Sequence, residues 1–126
     1  MSIGFKDMNL ALLQESLYII PKLLIMRHFF HLRIKENKVE EYKERHRNVW
    51  PEMICALKEA GIRNYSIFLE CSDVYGYWES ENVDRTLEFL SRNEVNSKWQ
   101  EYMSDVIITE KKERFEIREM EVFHME

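Results

Sequence analysis

Glycine, proline and cysteine are all scarce in this sequence, which contains three, two and two of them among its 126 residues. This composition argues against a disordered, collagen-like or disulfide-stabilised chain. Hydrophobic residues make up 45% and charged residues 33%, and the length suits one folded domain. Cys55, on the apolar side of a helical pattern, and Cys71, at the end of a strand-like run, are predicted to be reduced thiols of a cytoplasmic protein.

The sequence also lacks a basic stripe and a long apolar run. Its formal net charge is −5, with Lys and Arg scattered among Asp and Glu, so nucleic acid is not an expected partner. The apolar stretch 10–25 is interrupted by Gln14, Glu15, Pro21 and Lys22, so a membrane span is not expected. A signal peptide is not expected either, because Asp7 cancels Lys6 in the would-be basic region and no small-residue cleavage site follows. Glycine-rich phosphate loops, CxxC pairs and HExxH helices are absent, and no metal site is predicted.

Met26 stands immediately before a pattern typical of a strand, and the compact domain is predicted to begin there. Residues 26–126 would form this domain. Residues 1–25 would be an N-terminal extension, for which an appended helix, a disordered segment and translation from an upstream start codon all stay open.

The hydropathy pattern from Arg27 onward predicts the element order β-α-β-β-α-β, with each helix bent or split. The predicted strands are Arg27–Ile34, Arg63–Glu70, Val74–Glu79 and Phe115–Met125. The predicted helical segments run from Val39 to Asn48, from Pro51 to Ala60, from near Asn82 to Leu90, and from Val95 to Asp105. This order is the ferredoxin-like α+β pattern.

Two further features of this pattern have structural consequences. Gly76 inside the third strand predicts either a bulge or a close approach by another group. One face of the sheet would carry aromatic side chains that no helix covers, which is too much apolar surface for a monomer to expose. A homodimer that pairs two sheets into a barrel is therefore predicted.

Tyr42 and His46 lie four residues apart on a predicted helix, so both side chains should point to the same side. A phenol and an imidazole on one face are the beginnings of a proton-handling site, and they are equally compatible with an ordinary packed helix. His28, His31 and His124 fall at strand ends or edges and are interpreted as structural.

Several uncommon residues recur at intervals that resemble the L-rhamnose mutarotase family. They are Glu41-Tyr42-x3-His46-x3-Trp50-Pro51-Glu52, Asn64-Tyr65-x-Ile67-x-Leu69, Trp99-x2-Tyr102-Met103-x-Asp105-Val106 and Glu121-Val122-Phe123. The resemblance runs from Met26 to the C-terminus. It implies a dimeric ferredoxin-like α/β barrel, no metal or organic cofactor, and interconversion of the α and β anomers of a 6-deoxyhexose.

The resemblance also implies roles for five residues. The helical histidine that donates a proton in the family falls on His46, and the tyrosine one turn earlier, which contacts the sugar, falls on Tyr42. A strand tyrosine with the same role falls on Tyr65. The tandem tryptophans of the family fall on Trp99 and Gln100, a departure that bears on sugar preference more than on reaction type.

Mutarotation opens a hemiacetal and closes it on the other face, so it needs a base for the anomeric hydroxyl and an acid for the ring oxygen. Imidazole suits both tasks because its pKa of about 6.5 leaves both protonation states accessible near neutrality. His46 is therefore the predicted acid/base. Tyr42, Tyr65 or Asp105 could supply the second proton-transfer group, and Trp99 a flat apolar wall for the sugar.

Three other functions are compatible with the same sequence. The chain could act on L-fucose or another sugar, or it could be a non-catalytic sugar-binding or regulatory module in which Gln100 has altered the pocket. A dimeric-barrel oxygenase or haem-handling protein is the third, since one architecture supports several activities.

Overall fold

The computed structural model describes residues 25–108 and 121–126, and this part of the chain contains three strands and four α-helices. The strands are β1 (Met26–Arg33), β2 (Arg63–Glu70) and β3 (Asp73–Ser80). The helices are α1 (Val39–Arg47), which follows a 3-10 turn at Glu36–Lys38, α2 (Pro51–Glu59), α3 (Val83–Arg92) and α4 (Glu94–Met103). The α+β class predicted from the sequence is confirmed.

The three described strands form an antiparallel sheet in the order β1-β3-β2. β2 and β3 are a hairpin that pairs Glu70 with Asp73, so only two residues form the turn. One of them, Cys71, has a φ of 55°, the left-handed conformation that tight hairpin turns require. β1 pairs with β3 along its whole length, and this central position of β3 sets the two faces of the sheet.

Alternation along the strands separates an inner face, which meets the helices, from an outer face. The inner face consists of His28, Phe30 and Leu32 on β1, Tyr65, Ile67 and Leu69 on β2, and Val74, Gly76 and Trp78 on β3. The outer face carries Phe29 and His31 on β1, Phe68 on β2, and Tyr75 and Tyr77 on β3. The predicted aromatic residues of the outer face are thus present in the described sheet.

Gly76 is a site of close approach, as the sequence predicted. It pairs with Phe30, and a Cβ atom at position 76 would lie 2.0 Å from the Phe30 Cζ atom. The ring of Phe30 therefore lies directly over the glycine. The bulge is elsewhere, between Arg63 and Ser66, where Asn64 has a φ of 51°.

The Trp50-Pro51 pair breaks the helical run in the predicted place. Trp50 is extended, with φ −56° and ψ 134°, because a following proline disfavours helical geometry, and Pro51 starts α2. Asn82 and Asn93 cap the last two helices by accepting hydrogen bonds from the backbone N–H groups of Arg85 and Asn96. The predicted boundaries of the described strands and helices differ from the observed ones by at most two residues, and those of β2 coincide.

The core lies between the sheet and the helices, towards the end of the sheet where β1 finishes. Its fully buried members include Ile34, Val74, Met103 and Val106, and Tyr42, Met53 and Trp99 complete the cluster. Thr86 is also buried, and its hydroxyl donates to the carbonyl oxygen of Ala60 at 2.6 Å. This bond ties α3 to the end of α2.

One prediction from the sequence is wrong, and another lies mostly outside the described residues. Cys55 is exposed, and its neighbour Ala56 takes the buried position on α2. Most of the predicted final strand, residues 115–120, lies outside the described residues, and 121–126 form no strand. In this last segment, Glu121 accepts a hydrogen bond from Arg27 at 3.2 Å, and His124 bonds Arg27 at 2.6 Å.

In the described ranges, no helix combines the length and apolarity that crossing a membrane requires.

Candidate active site

A cleft of about 870 Å³ lies between the inner face of the sheet and the helices. Four of the five residues predicted to form the site line it, namely His46, Tyr65, Trp99 and Gln100. The remaining wall is largely apolar, with Phe30, Leu32, Val49, Met53, Ile54, Leu57, Ile67, Trp78, Leu87 and Leu90. Tyr42 does not line the cleft and lies against His46 instead.

His46 occupies the last turn of α1, where its side chain folds back onto the helix. Its Nδ1 atom is 2.9 Å from the backbone carbonyl oxygen of Tyr42. A carbonyl oxygen only accepts, so Nδ1 carries the hydrogen and Nε2 keeps its lone pair in the uncharged ring. Burial lowers the pKa of His46, although the bond to Tyr42 opposes this shift. At neutral pH the ring is therefore an uncharged base.

Tyr42 supports the imidazole from one side. The two rings are stacked, with centroids 4.1 Å apart and planes 30° from parallel. Burial raises the pKa of the Tyr42 phenol, and the nearby phenol of Tyr65 adds to the shift. Tyr42 thus remains a neutral hydroxyl at physiological pH, and its visible role is to fix the orientation of His46.

Tyr65 enters the cleft from the opposite wall, at the bulge of β2. Its ring meets Phe30 edge to face, with centroids 6.2 Å apart. The residue is 38% exposed. Desolvation in the cleft nevertheless raises the pKa of the phenol. A bulge can change the direction of a side chain, and Tyr65, which reaches the cleft, lies within the bulge of β2.

Trp99 forms an aromatic wall beside His46. The His46 and Trp99 rings meet edge to face with centroids 5.8 Å apart, and Trp50 also meets the indole edge to face, at 5.0 Å and 89°. Only 8% of Trp99 is exposed, so its orientation is fixed by these neighbours. Gln100 lies next to it at the surface, where its amide donates to the side-chain oxygen of Asn96 at 3.3 Å.

Arg45 joins the helix that carries His46 to the helix that carries Trp99. Its guanidinium donates to both carboxylate oxygens of Asp105 at 2.8 and 3.2 Å, to Glu41 at 2.9 Å and to the Tyr102 carbonyl oxygen at 2.6 Å. The same group lies 4.3 Å over the ring of Tyr102. Hydrogen bonds from Arg45 lower the pKa of Asp105.

These contacts distinguish the three residues considered from the sequence by their access to the cleft. Asp105 is held by Arg45 and is not part of the cleft wall, and Tyr42 is covered by His46. Of the three residues considered from the sequence, only Tyr65 reaches the cleft.

His28 is the cleft residue that the sequence interpretation missed. It was interpreted as structural, yet its side chain lies on the inner face, lines the cleft and is only 4% exposed. Its ring centroid is 4.4 Å from that of Trp78, its partner on β3. Alternation with Phe30 and Leu32 was the signal that could have placed it there.

His31 also borders the cleft, but its ring has a different environment from that of His28. The ring of His31 stacks on Tyr75 at 4.9 Å on the outer face, and its Nε2 is 2.8 Å from Asp73. Over residues 25–108 and 121–126, no three His, Cys, Asp or Glu side chains are grouped to hold a metal ion.

Comparison with known proteins relates this chain to a single family. The profile of the family described as L-rhamnose mutarotase matches residues 27–125. An L-rhamnose mutarotase from Oceanobacillus iheyensis is 34% identical over 100 residues, which cover 77% of this chain and 95% of that protein. One from Sinorhizobium fredii is 40% identical over 86 residues, which cover 66% of this chain and 81% of that protein.

A solved structure gives the same result. The crystal structure of an L-rhamnose mutarotase from Formosa agariphila superposes with a TM-score of 0.67 at 29% identity, covering 80% of this chain and 99% of that one. The profile match extends over more than half of the sequence and includes His46, Tyr65 and Trp99. The chain therefore belongs to the L-rhamnose mutarotase family.

Proposed function

We propose that this chain is a mutarotase that interconverts the α and β anomers of L-rhamnose, with His46 as the general acid/base. The observation that carries the proposal is the uncharged imidazole at the cleft, fixed by Tyr42 so that Nε2 is the basic atom. The relatives named above, all L-rhamnose mutarotases, support the choice of sugar and a role in L-rhamnose metabolism.

The reaction follows from this geometry. Nε2 of His46 takes the proton of the anomeric hydroxyl while the bond between C1 and the ring oxygen breaks, and the ring oxygen receives a proton from a second group. The open-chain aldehyde then rotates about C1–C2. The new hydroxyl attacks the other face of the carbonyl as both protons return, so protons and electrons balance over the cycle.

The remaining predicted residues would bind the sugar. Trp99 offers an apolar wall to the C–H face of a pyranose, and Tyr65 offers a hydroxyl from the sheet. The apolar part of the cleft suits the methyl group of a 6-deoxy sugar, since burying one methyl contributes about 0.8 kcal/mol. Gln100 presents an amide where the family has a second indole, and it bonds the side chain of Asn96. This departure makes L-fucose the alternative substrate to test.

The test is exchange NMR on the anomeric protons of L-rhamnose and of L-fucose, with wild type and His46→Ala. Loss of positioned proton transfer typically lowers a rate by roughly 100- to 10,000-fold, so exchange above the uncatalysed rate should vanish in the variant. Unchanged exchange in a folded His46→Ala protein would remove His46 from this role. Wild type without enhancement for either sugar would favour a binding module.

We also infer a homodimer in which two ferredoxin-like units form a barrel. The outer face supports this, because Phe29 is 40% and Phe68 is 64% exposed on the described sheet. A contiguous aromatic surface of this kind marks an interaction site.

The family match over residues 27–125 supports a mutarotase domain at 26–126, with residues 1–25 as an N-terminal extension. The two free cysteines support a cytoplasmic location.

A further inference from the structure

We propose that His28 is the second proton-transfer group of this cleft, delivering a proton to the ring oxygen while His46 takes one from the anomeric hydroxyl. The inference rests on the proposed mutarotase function and adds a residue to it. The two histidines lie on different walls, His46 on α1 and His28 on β1, and both line the one cleft.

The argument begins with the groups that can exchange protons in this cleft. Besides the two histidines, the ionisable side chains of its wall include His31, Tyr65, Asp84 and Glu88. The ring of His31 is engaged on the outer face, where it stacks on Tyr75 and bonds Asp73. Tyr65 has a phenol whose pKa burial raises, which makes it a poor proton carrier near neutrality. Asp84 and Glu88 are exposed residues on α3.

His28 is only 4% exposed, and burial by itself disfavours a protonated ring, so its neighbours must compensate for the charge. The indole of Trp78 lies 4.4 Å away at an interplanar angle of 37°, within the distance at which a cation is attracted to the face of a tryptophan. Asp84 and Glu88 add negative charge to the same cleft. In contrast, His46 is uncharged and basic.

These two states are the pair that ring opening requires. His46 starts uncharged and ends as imidazolium after taking the O1 proton, and His28 starts as imidazolium and ends uncharged after protonating the ring oxygen. Ring closure on the other face reverses both transfers. The enzyme therefore returns to its initial protonation state after each turnover without a cofactor or a co-reactant.

The experiment compares kcat and KM for L-rhamnose among wild type, His28→Gln, His28→Ala and His124→Gln. His124 is the control, because it is an exposed histidine that bonds Arg27 and does not line the cleft. The proposal predicts that kcat of His28→Gln falls roughly 100-fold or more, the usual size of a positioned proton transfer. Added imidazole should restore exchange to His28→Ala in a saturable way, and His124→Gln should behave as wild type.

Either of two results would overturn the assignment. If His28→Gln keeps its kcat and only KM rises, His28 binds sugar without moving a proton. The second result comes from wild type and does not depend on whether the variants fold. Saturating L-rhamnose should shift the NMR resonance of the His28 ring, and an unshifted resonance would contradict contact with the sugar. Wild type without any exchange activity would instead refute the proposed function, and the role of His28 with it.

Discussion

His46 shows how one hydrogen bond can define the chemistry of a side chain. Its bond to the Tyr42 carbonyl fixes the tautomer, and its burial favours the uncharged ring. Neither effect needs a charged neighbour. The residue is therefore ready to accept a proton from a neutral sugar hydroxyl, which a histidine already protonated at neutral pH could not do.

The lowered pKa of His46 also makes stability depend on pH. The unfolded chain takes up a proton here near pH 6.5, while the folded protein does so only at lower pH. The stabilisation is therefore complete above pH 6.5 and is lost as the pH falls through the pKa of the folded state.

The measurement is urea unfolding of wild type and His46→Asn between about pH 8 and pH 5. The stability of wild type relative to the variant should decrease towards acid pH. His124→Asn, which removes an exposed histidine, controls for the loss of an imidazole as such. A difference between wild type and His46→Asn that stays constant over this range would contradict the burial argument.

Local spacing made part of the site predictable at the residue level. Tyr42 and His46 share a helix face, so their stacking follows from a four-residue interval. His28 was harder, because alternation with Phe30 and Leu32 places it on one face of the strand but does not show what covers that face. Its position became clear only when β3 brought Trp78 opposite it.

At the level of elements, the site depends on how α1 and α4 are held together. The guanidinium of Arg45, only 11% exposed, binds Asp105 with two nitrogens just beyond α4 and covers Tyr102 on α4. Such a planar fork fixes both distance and orientation. Arg45 is adjacent to His46, and Tyr102 is one turn from Trp99, so this contact positions the acid/base relative to the aromatic wall.

We expect Arg45→Lys to lower kcat and raise KM together, although Lys keeps the charge. A lysine cannot bind both oxygens of Asp105 in one plane or stack on Tyr102 in the same way. Anomeric exchange kinetics provide the measurement. The matched control is Arg47→Lys, whose arginine pairs with Glu44 at the exposed surface of the same helix.

Wild-type kinetics in the Arg45→Lys protein would show that charge alone suffices. A change in Arg47→Lys as large as that in Arg45→Lys would mean that the helix, rather than this contact, is responsible.

Structural features that depend on residues close together in the sequence were predicted correctly. The Trp50-Pro51 break, the β2–β3 hairpin and the close approach at Gly76 all follow from local chemistry. The bulge at Asn64 was missed, because it depends on the register with β3 and on the 2.7 Å bond from Asn64 to Glu79. Such pairings join residues far apart in the chain.

For the whole molecule, the outer face is the surface most in need of a partner. Phe68 is the most exposed aromatic residue of the described sheet, at 64%. We expect Phe68→Lys to convert a dimer into a monomer, because it places a charge where two apolar faces would meet. Light scattering coupled to size-exclusion chromatography measures the mass.

Phe89→Lys is the control for this substitution, since Phe89 is an exposed phenylalanine on α3, away from the sheet. That variant should keep the mass of wild type. A Phe68→Lys protein that is still dimeric, or a wild type that is monomeric, would contradict the barrel arrangement.

The strand order has a last consequence, for the cooperativity of folding. The hairpin of β2 and β3 closes over two residues, whereas the pairing of Arg33 with Asp73 closes a loop that contains α1, α2 and β2. Closing that longer loop costs more chain entropy. Since His28 lies on β1 and α1 lies inside the loop, the two histidines line one cleft only when this long-range ladder forms.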